Sequence, residues 1–242
     1  MNELRIVRIE SPGAGLDEVY RDLLAPFFPP HELDSREDIA AGVTAGTTEV
    51  LVAEDERGRR LGAAVGDWDE DVRVQLLSYL AVDPAHRSGG VGGRLLAAVV
   101  ERWAEQYRPC AIVAEIEHPA EAAANPEWGD PKRRFDFYGR RGARVLDLPY
   151  FQPALRDGAE RVWGMLLISL HLDPQLTAGP DRAAAEPIRG FLEGYFRLTE
   201  GGLPEDAAGK ALLAAAADPE GVRLLPATTP IERLPRSAPG VG

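Results

Sequence analysis

The order of apolar and polar positions divides the first part of the chain into strands and helices. Residues 4–10, LRIVRIE, alternate as in a half-buried strand, whereas 16–28 repeat leucine and valine at helical spacing until two prolines follow. A shorter helix is predicted over 34–43. Residues 48–68 contain two apolar runs separated by a polar turn at Gly58, which predicts a β-hairpin.

The middle of the chain alternates strands and helices. Residues 72–82, VRVQLLSYLAV, predict a central strand, and 110–117, CAIVAEIE, predict the next buried one. A short helix is expected over 132–142, where a glycine ends it. The segments 143–155 and 162–172 supply the last predicted strands.

The pattern changes after residue 178. We therefore place a first domain at 1–178 and an extension at 179–242, in which 185–198 and 207–217 are helical and the proline-rich end is loose. Three roles are open for the extension: packing on the first domain, lining an acceptor site, or forming a homodimer contact.

Composition narrows the classes of partner. The chain has 242 residues and a formal net charge of −12, which opposes binding to nucleic acid through a broad positive field. One cysteine excludes an internal disulfide, and four separated histidines make no local metal motif, so no metal site is expected. No signal-peptide pattern or membrane-spanning apolar run is seen, which predicts a cytoplasmic protein without membrane contact.

The stretch HRSGGVGGRLL, residues 86–96, places four glycines before an apolar helix. Backbone N–H groups at such a helix start bind anions, and glycine lets a phosphate approach closely. A Walker A loop is rejected because Gly93 and Arg94 stand where its lysine and hydroxyl are needed. A dinucleotide fingerprint is disfavoured because its third glycine position is Leu95. A flexible turn without a ligand is the remaining alternative.

The longer stretch LAVDPAHRSGGVGGRLL resembles the acyl-CoA signature of the GCN5-related N-acetyltransferase (GNAT) family. The resemblance implies a mixed, mostly antiparallel central sheet flanked by helices, here with a C-terminal helical extension. It also implies that acetyl-CoA binds to backbone, with the pantetheine arm on the strand end and the pyrophosphate on the glycine turn. The implied cofactor-binding residues are Leu80, Ala81, Val82, Arg87, Ser88, Gly89, Gly90, Val91, Gly92, Gly93 and Arg94.

Two further features bear on catalysis. FYGRRGA resembles the second family signature, which implies that Tyr138 is the general acid for the departing thiolate; this chain has Ala143 where the family usually has phenylalanine. Alternation places Glu115 and Glu117 on one strand face. The resemblance implies that Glu115 is the base that draws the amine proton, with Glu117 second. The alternatives are a packed helix tyrosine and acids paired with arginines.

These features predict an acyl-CoA-dependent N-acyltransferase that transfers acetyl, and not an aminoacyl group, to a small-molecule amine. A non-catalytic acyl-CoA-binding module is the alternative from another class. A protein or peptide amine as acceptor and an aminoacyl-tRNA as donor are further alternatives, and the negative charge disfavours the last.

Overall fold

The computed structural model describes residues 4–122, 125, 129–156 and 158–238, without the side chains of Arg87 and Ser88. The chain divides into two compact units. The first unit comprises Met1–Trp68 and Gln75–Gln106, and the second comprises Asp69–Val74 and Tyr107–Gly242. None of the helices in the described residues is both long and apolar enough to cross a membrane.

The strands of the first unit follow the predicted alternation. They are β1 (Arg5–Arg8), β2 (Thr48–Glu54), β3 (Arg60–Asp69) and β4 (Val74–Val82), and they neighbour one another in chain order. β1 and β2 pair antiparallel, as do β2 and β3, which form the predicted hairpin. Its turn contains Gly58 at φ 74°, a left-handed conformation that glycine adopts without steric cost.

Three helical segments complete the first unit. α1 (Ala14–Val19) continues into a π-helical turn, Tyr20–Leu24, and α2 (Arg36–Ala45) begins at Ser35, whose side chain accepts the Asp38 N–H. α3 (Val91–Gln106) is strongly amphipathic and buries Val91, Leu95, Leu96, Val99 and Trp103. The leucines of α1 and of the π turn are buried against β2 and β3, as the helical spacing predicted.

One buried polar contact fixes α3 on the sheet. The Trp103 indole N–H donates to Glu49 at 2.6 Å, and Arg102 donates to the same carboxylate at 2.8 Å. Glu49 is only 3% exposed, so its charge is stabilised by these donors and not by water. Gly66 lies under the Trp103 ring, which a side chain at that position would meet at 2.3 Å.

The second unit contains six strands in the spatial order β5-β7-β6-β10-β9-β8, and neighbouring strands are antiparallel. The strands are β5 (Ala111–Glu117), β6 (Arg144–Leu146), β7 (Met165–Leu172), β8 (Thr177–Gly179), β9 (Arg182–Ala183) and β10 (Val222–Pro226). The helices are α4 (Pro131–Gly139), α5 (Ala185–Glu200) and α6 (Ala207–Ala216). Antiparallel strands flanked by helices confirm the predicted fold class.

Two parts of the second unit differ from the sequence prediction. The strand predicted over 143–155 is confined to Arg144–Leu146, because Pro149 and Pro153 interrupt the backbone hydrogen bonds that a longer strand would need. The extension is not helical throughout, since β10 pairs with β6 and the Arg144 guanidinium donates to the Leu224 carbonyl at 2.6 Å. α5 and α6 form as predicted.

Candidate active site

The glycine turn of the first unit, residues 83–93, begins at a capped 3₁₀ turn. Asp83 follows β4 and accepts the Ala85 N–H at 2.9 Å, which starts the turn Pro84–Gly89. The other carboxylate oxygen of Asp83 lies 3.0 Å from His86 Nδ1. Gly90 then adopts φ 75°, which reverses the chain into α3. A left-handed backbone conformation is needed at this position, which explains why a glycine, Gly90, stands here.

The start of α3 presents unpaired backbone donors. The first N–H groups of a helix have no carbonyl in a preceding turn, and the helix dipole makes this end positive. The Arg94 N–H is bonded to the Gly90 carbonyl at 3.1 Å. A side chain built at Gly89 or Gly90 would meet no atom within 4 Å, so the space before the helix is open. This arrangement suits a phosphate group.

The remaining predicted cofactor-binding residues lie at the end of β4 and in the first turn of α3. Ala81 is buried while Leu80 and Val82 are partly exposed, and Gly62 on β3 approaches so closely that a side chain there would lie 2.7 Å from the Ala81 carbonyl oxygen. In α3, Val91 and Gly92 are buried and Arg94 is exposed. The side chains of Arg87 and Ser88 lie outside the described residues.

Glu115 is the centre of a polar cluster in the second unit. Its carboxylate accepts hydrogen bonds from the Tyr150 hydroxyl, from Gln152 Nε2 at 3.0 Å and, more weakly, from the Tyr195 hydroxyl at 3.5 Å. Tyr150 is fully buried, and burial together with the Glu115 charge holds the pKa of its phenol well above the usual value. Tyr150 is therefore a hydrogen-bond donor throughout the neutral range. We name these four residues the Glu115 cluster.

Glu117 lies two residues further along β5 and has a different environment. Its carboxylate forms an ion pair with Arg134 of α4, and both side chains are partly exposed. The structure therefore places the two predicted acids on one strand but gives them different partners. An acid paired with arginine was the alternative for both positions, and this geometry matches it for Glu117.

Tyr138 lies in α4, and its ring packs edge-on against Phe137 with 5.1 Å between ring centroids. The side chain is 7% exposed, and burial raises its pKa to about 12 in spite of the opposing charges of Arg134 and Arg141. A phenol with this pKa stays protonated at neutral pH, so it can donate a proton or a hydrogen bond without carrying charge.

Two other titratable side chains of the second unit are buried. His118 is fully buried, and burial lowers the pKa of its imidazole, which favours the neutral ring. Cys110 is also buried, and desolvation raises its thiol pKa to about 11, which makes a reactive thiolate unfavourable at neutral pH. In the portion of the chain that the structure describes, no group of three His, Cys, Asp or Glu side chains is arranged to hold a metal ion.

Sequence reasoning missed the three donors of the Glu115 cluster. Tyr150 and Gln152 follow β6 in the segment LPYFQPAL, and Tyr195 lies on α5, 80 residues from Glu115 along the chain. The only signal was the helix predicted over 185–198, since lining an acceptor site was one of the three roles left open for the extension. No local motif encodes a contact across that separation.

Comparisons with known proteins bear on the domain and on the fold. The model of the acetyltransferase (GNAT) domain matches residues 46–142. A structure from Bacteroides thetaiotaomicron described as a GNAT-family acetyltransferase has 26% sequence identity and a TM-score of 0.55, and the match covers 71% of this chain and 89% of that one. A search of curated proteins finds no match.

Two further solved structures are similar at lower identity. The IAA acetyltransferase from Bacillus cereus is 18% identical, with a TM-score of 0.48 over 70% of this chain and 100% of that one. A GNAT-family structure from Desulfovibrio desulfuricans is 20% identical, with a TM-score of 0.49 over 70% and 99% of the two chains.

The antiparallel strands flanked by helices, together with the domain match, define the fold as that of a GNAT acetyltransferase. Residues 46–142 match the acetyltransferase (GNAT) domain, and the fold of the chain is similar to that of a GNAT-family structure.

Proposed function

We propose that the protein is an N-acyltransferase that transfers acetyl from acetyl-CoA to the amine of a small molecule. The observation that carries this proposal is the extent of the family match. Residues 46–142 include the glycine turn, both acids of β5 and Tyr138, so every group that the proposed reaction needs lies in the matched segment.

The glycine turn would hold the phosphates of the donor. The amides at the start of α3 point away from the helix, and the open space at Gly89 and Gly90 leaves room for a pyrophosphate. The main chain of Leu80, Ala81 and Val82 at the end of β4 would pair with the amides of the pantetheine arm. This mode of binding uses backbone, with Arg87, Ser88 and Arg94 as candidate side-chain contributors.

The proposed reaction is direct attack without a covalent enzyme intermediate. Glu115 accepts a proton from the acceptor amine, whose nitrogen forms a bond to the thioester carbonyl carbon. The tetrahedral intermediate collapses as the carbon–sulfur bond breaks, and the leaving thiolate takes a proton from Tyr138. Because the amine arrives as an ammonium ion, its nitrogen loses a second proton to solvent as the amide forms. Between turnovers Glu115 returns its proton to solvent and Tyr138 recovers one, so the products are an amide, the free thiol of CoA and one released proton.

The acidic character of the protein supports an amine as acceptor. The formal net charge of −12 attracts cations over a longer range than any single contact, and most amines are cationic at neutral pH. Such steering weakens as salt is added, because charges separated by more than about 10 Å are screened at 0.1 M ionic strength. We therefore expect the acceptor KM to rise with salt.

The first experiment is calorimetric titration of the full chain with acetyl-CoA, with NAD as control, followed by an assay of thiol release with a panel of amines. We expect binding of acetyl-CoA and not NAD, and release of free thiol with at least one amine. Binding of NAD alone would favour a dinucleotide site. Binding of acetyl-CoA without thiol release from any amine would favour the non-catalytic module.

A matched pair at Gly89 tests the phosphate contact. Neither variant strains the fold, since a side chain there meets nothing within 4 Å. Gly89→Asp should weaken acetyl-CoA binding about tenfold, because a like charge near a phosphate costs on the order of 1–3 kcal/mol at an effective dielectric of 20. Gly89→Asn, of equal size but without the charge, should weaken binding less than Gly89→Asp does. Equal affinity of both variants and the parent would contradict the proposed phosphate site.

A further inference from the structure

The donors of the Glu115 cluster come from outside the segment that matches the family. The match ends at residue 142, whereas Tyr150, Gln152 and Tyr195 follow it. Each oxygen of Glu115 accepts hydrogen bonds from different donors: Oε1 accepts from Tyr150, and Oε2 accepts from Gln152 and Tyr195. A carboxylate held at both oxygens has one orientation, and each donor stabilises its ionised form.

The segment that carries Tyr150 and Gln152 is itself held in place. Gln152 exchanges two backbone hydrogen bonds with Val162, each of 3.0 Å, which closes the segment into a loop. The Arg161 guanidinium binds both oxygens of Glu200, at 2.8 and 2.7 Å, and so joins this loop to the end of α5. The extension thereby supports the loop as well as supplying Tyr195.

Gln152 retains a feature that a purely structural role does not explain. Its side chain is 7% exposed, and its Oε1 is buried without a hydrogen-bond partner in the described part of the chain, although Nε2 is bound to Glu115. A buried unpaired carbonyl oxygen lowers stability. An apolar side chain of the same length would avoid that cost, so the advantage of glutamine at this position lies in the donor that it offers to Glu115.

From these contacts we infer that Tyr150 and Gln152 are positioning residues, which hold the Glu115 carboxylate ionised and in one orientation for the acceptor amine, and that α5 contributes to this arrangement through Tyr195. The inference rests on the proposed role of Glu115 as the base. It assigns a function in substrate recognition to residues of the loop after β6 and of the C-terminal extension. The acceptor that such a carboxylate suits is a primary amine that arrives protonated.

The test is the pH profile of kcat/KM for the acceptor in the full chain. In the second unit, the titratable groups near Glu115 include the two tyrosines of the cluster and Glu117, which Arg134 pairs. Tyr150→Phe removes a donor from the ionised carboxylate, so Glu115 should take up a proton at higher pH. We expect the acid limb to move up by about one pH unit, as loss of a hydrogen bond to a charged group implies. Tyr195→Phe should give a smaller shift, because its contact is longer.

Tyr79→Phe is the matched control. Tyr79 is also a buried tyrosine, 5% exposed, whose hydroxyl donates to a carboxylate, that of Asp34, at 2.9 Å. It lies in the first unit, so its loss should lower the melting temperature without moving the acid limb. An unmoved acid limb in Tyr150→Phe, or an equal movement in both variants, would overturn the inference.

Two further variants test the inference if Tyr150→Phe does not fold or if Glu115 is not the base. If Tyr150→Phe does not fold, Gln152→Met serves in its place, since it removes the donor together with the unpaired oxygen and should shift the acid limb upward without loss of stability. Glu115→Gln distinguishes failure of the proposed base from failure of the proposed positioning residues. Full activity in Glu115→Gln would refute Glu115 as the base, whereas an inactive Glu115→Gln with normal profiles in Tyr150→Phe and Gln152→Met would refute the inference alone.

Discussion

The glycine turn and the Glu115 cluster are built in opposite ways. The glycine turn is continuous in sequence, residues 83–93, and leads into the backbone amides at the start of α3. The Glu115 cluster collects side chains from β5, from the loop after β6 and from α5, with up to 80 residues between contact partners. A binding mode made of backbone leaves a local motif, whereas one made of distant side chains does not.

The difference corresponds to what each region would recognise. Every acyl-CoA donor carries the same pyrophosphate, so one arrangement of amides serves them all and the residues that form it lie in the segment matched to the family. Acceptors differ from one another, and the side chains around Glu115 lie mostly outside that segment. We therefore regard the loop after β6 and α5 as the parts of this chain that determine acceptor specificity.

The largest effect is expected at a side chain of the matched segment. Tyr138→Phe should reduce kcat by about 10²-fold, the lower end of what a general acid contributes. The fold should persist because the ring remains in its packed position against Phe137. Steady-state kinetics with separate titration of acetyl-CoA checks this, since the Kd of the donor should not change.

The pH dependence sharpens the assignment of Tyr138. Burial raises the pKa of this phenol to about 12, so its protonated form persists through the whole accessible alkaline range. The parent enzyme should therefore lose no activity through Tyr138 between pH 7 and about pH 10, well below that pKa. An alkaline limb that disappears in Tyr138→Phe would show that a much lower pKa governs the phenol and would contradict this environment.

The next effect, about tenfold, separates two adjacent glycines. Gly90→Ala places a side chain at φ 75°, a left-handed conformation that costs about 1–2 kcal/mol, so the turn should relax and acetyl-CoA affinity should fall about tenfold. Gly89→Ala is the control, because Gly89 has an ordinary φ and open space. Calorimetric titration compares the two, and equal affinities would mean that the left-handed residue is not needed for donor binding.

The parts of the fold that the sequence predicted are those that depend on local contacts, and the parts that it did not predict depend on distant ones. The hairpin at Gly58, the helix capped by Ser35 and the buried face of α3 are encoded by local spacing, and they were predicted. β10 was not predicted, because a five-residue strand at the edge of a helical extension gives no periodic signal of its own. Its pairing with β6 depends on residues almost 80 positions earlier.

In the candidate site, too, the sequence indicated residues in local motifs but not the contacts between distant side chains. Gly90 was predicted to bind the cofactor from its position before the apolar helix, and Tyr138 was predicted to be the general acid from its resemblance to a family motif. The acids of β5 could be placed on one face by alternation, but their partners could not. Glu117 pairs with Arg134 across a helix–strand contact, and Glu115 contacts Tyr150 from an irregular loop whose path follows no period.

The smallest predicted effect concerns the contact between the loop and α5. Arg161→Lys keeps the charge but loses the planar fork that binds both oxygens of Glu200, so the loop that carries Gln152 should become less rigid. We expect a fall of about 1–2 kcal/mol in unfolding free energy, in the range for hydrogen bonds between charged groups, and about a threefold lower kcat/KM for the acceptor.

Arg197→Lys is the control for this prediction because it changes the same residue type on α5 itself. Arg197 pairs with Glu193 at 3.0 Å, but its side chain is 56% exposed, and exposed pairs contribute about 0–1 kcal/mol. Chemical denaturation of both variants measures the change in unfolding free energy, and acceptor kinetics measures the change in kcat/KM. If Arg161→Lys lowers stability while kcat/KM stays equal to that of Arg197→Lys, the contact stabilises the fold without controlling Glu115, and α5 would influence the acceptor through Tyr195 alone.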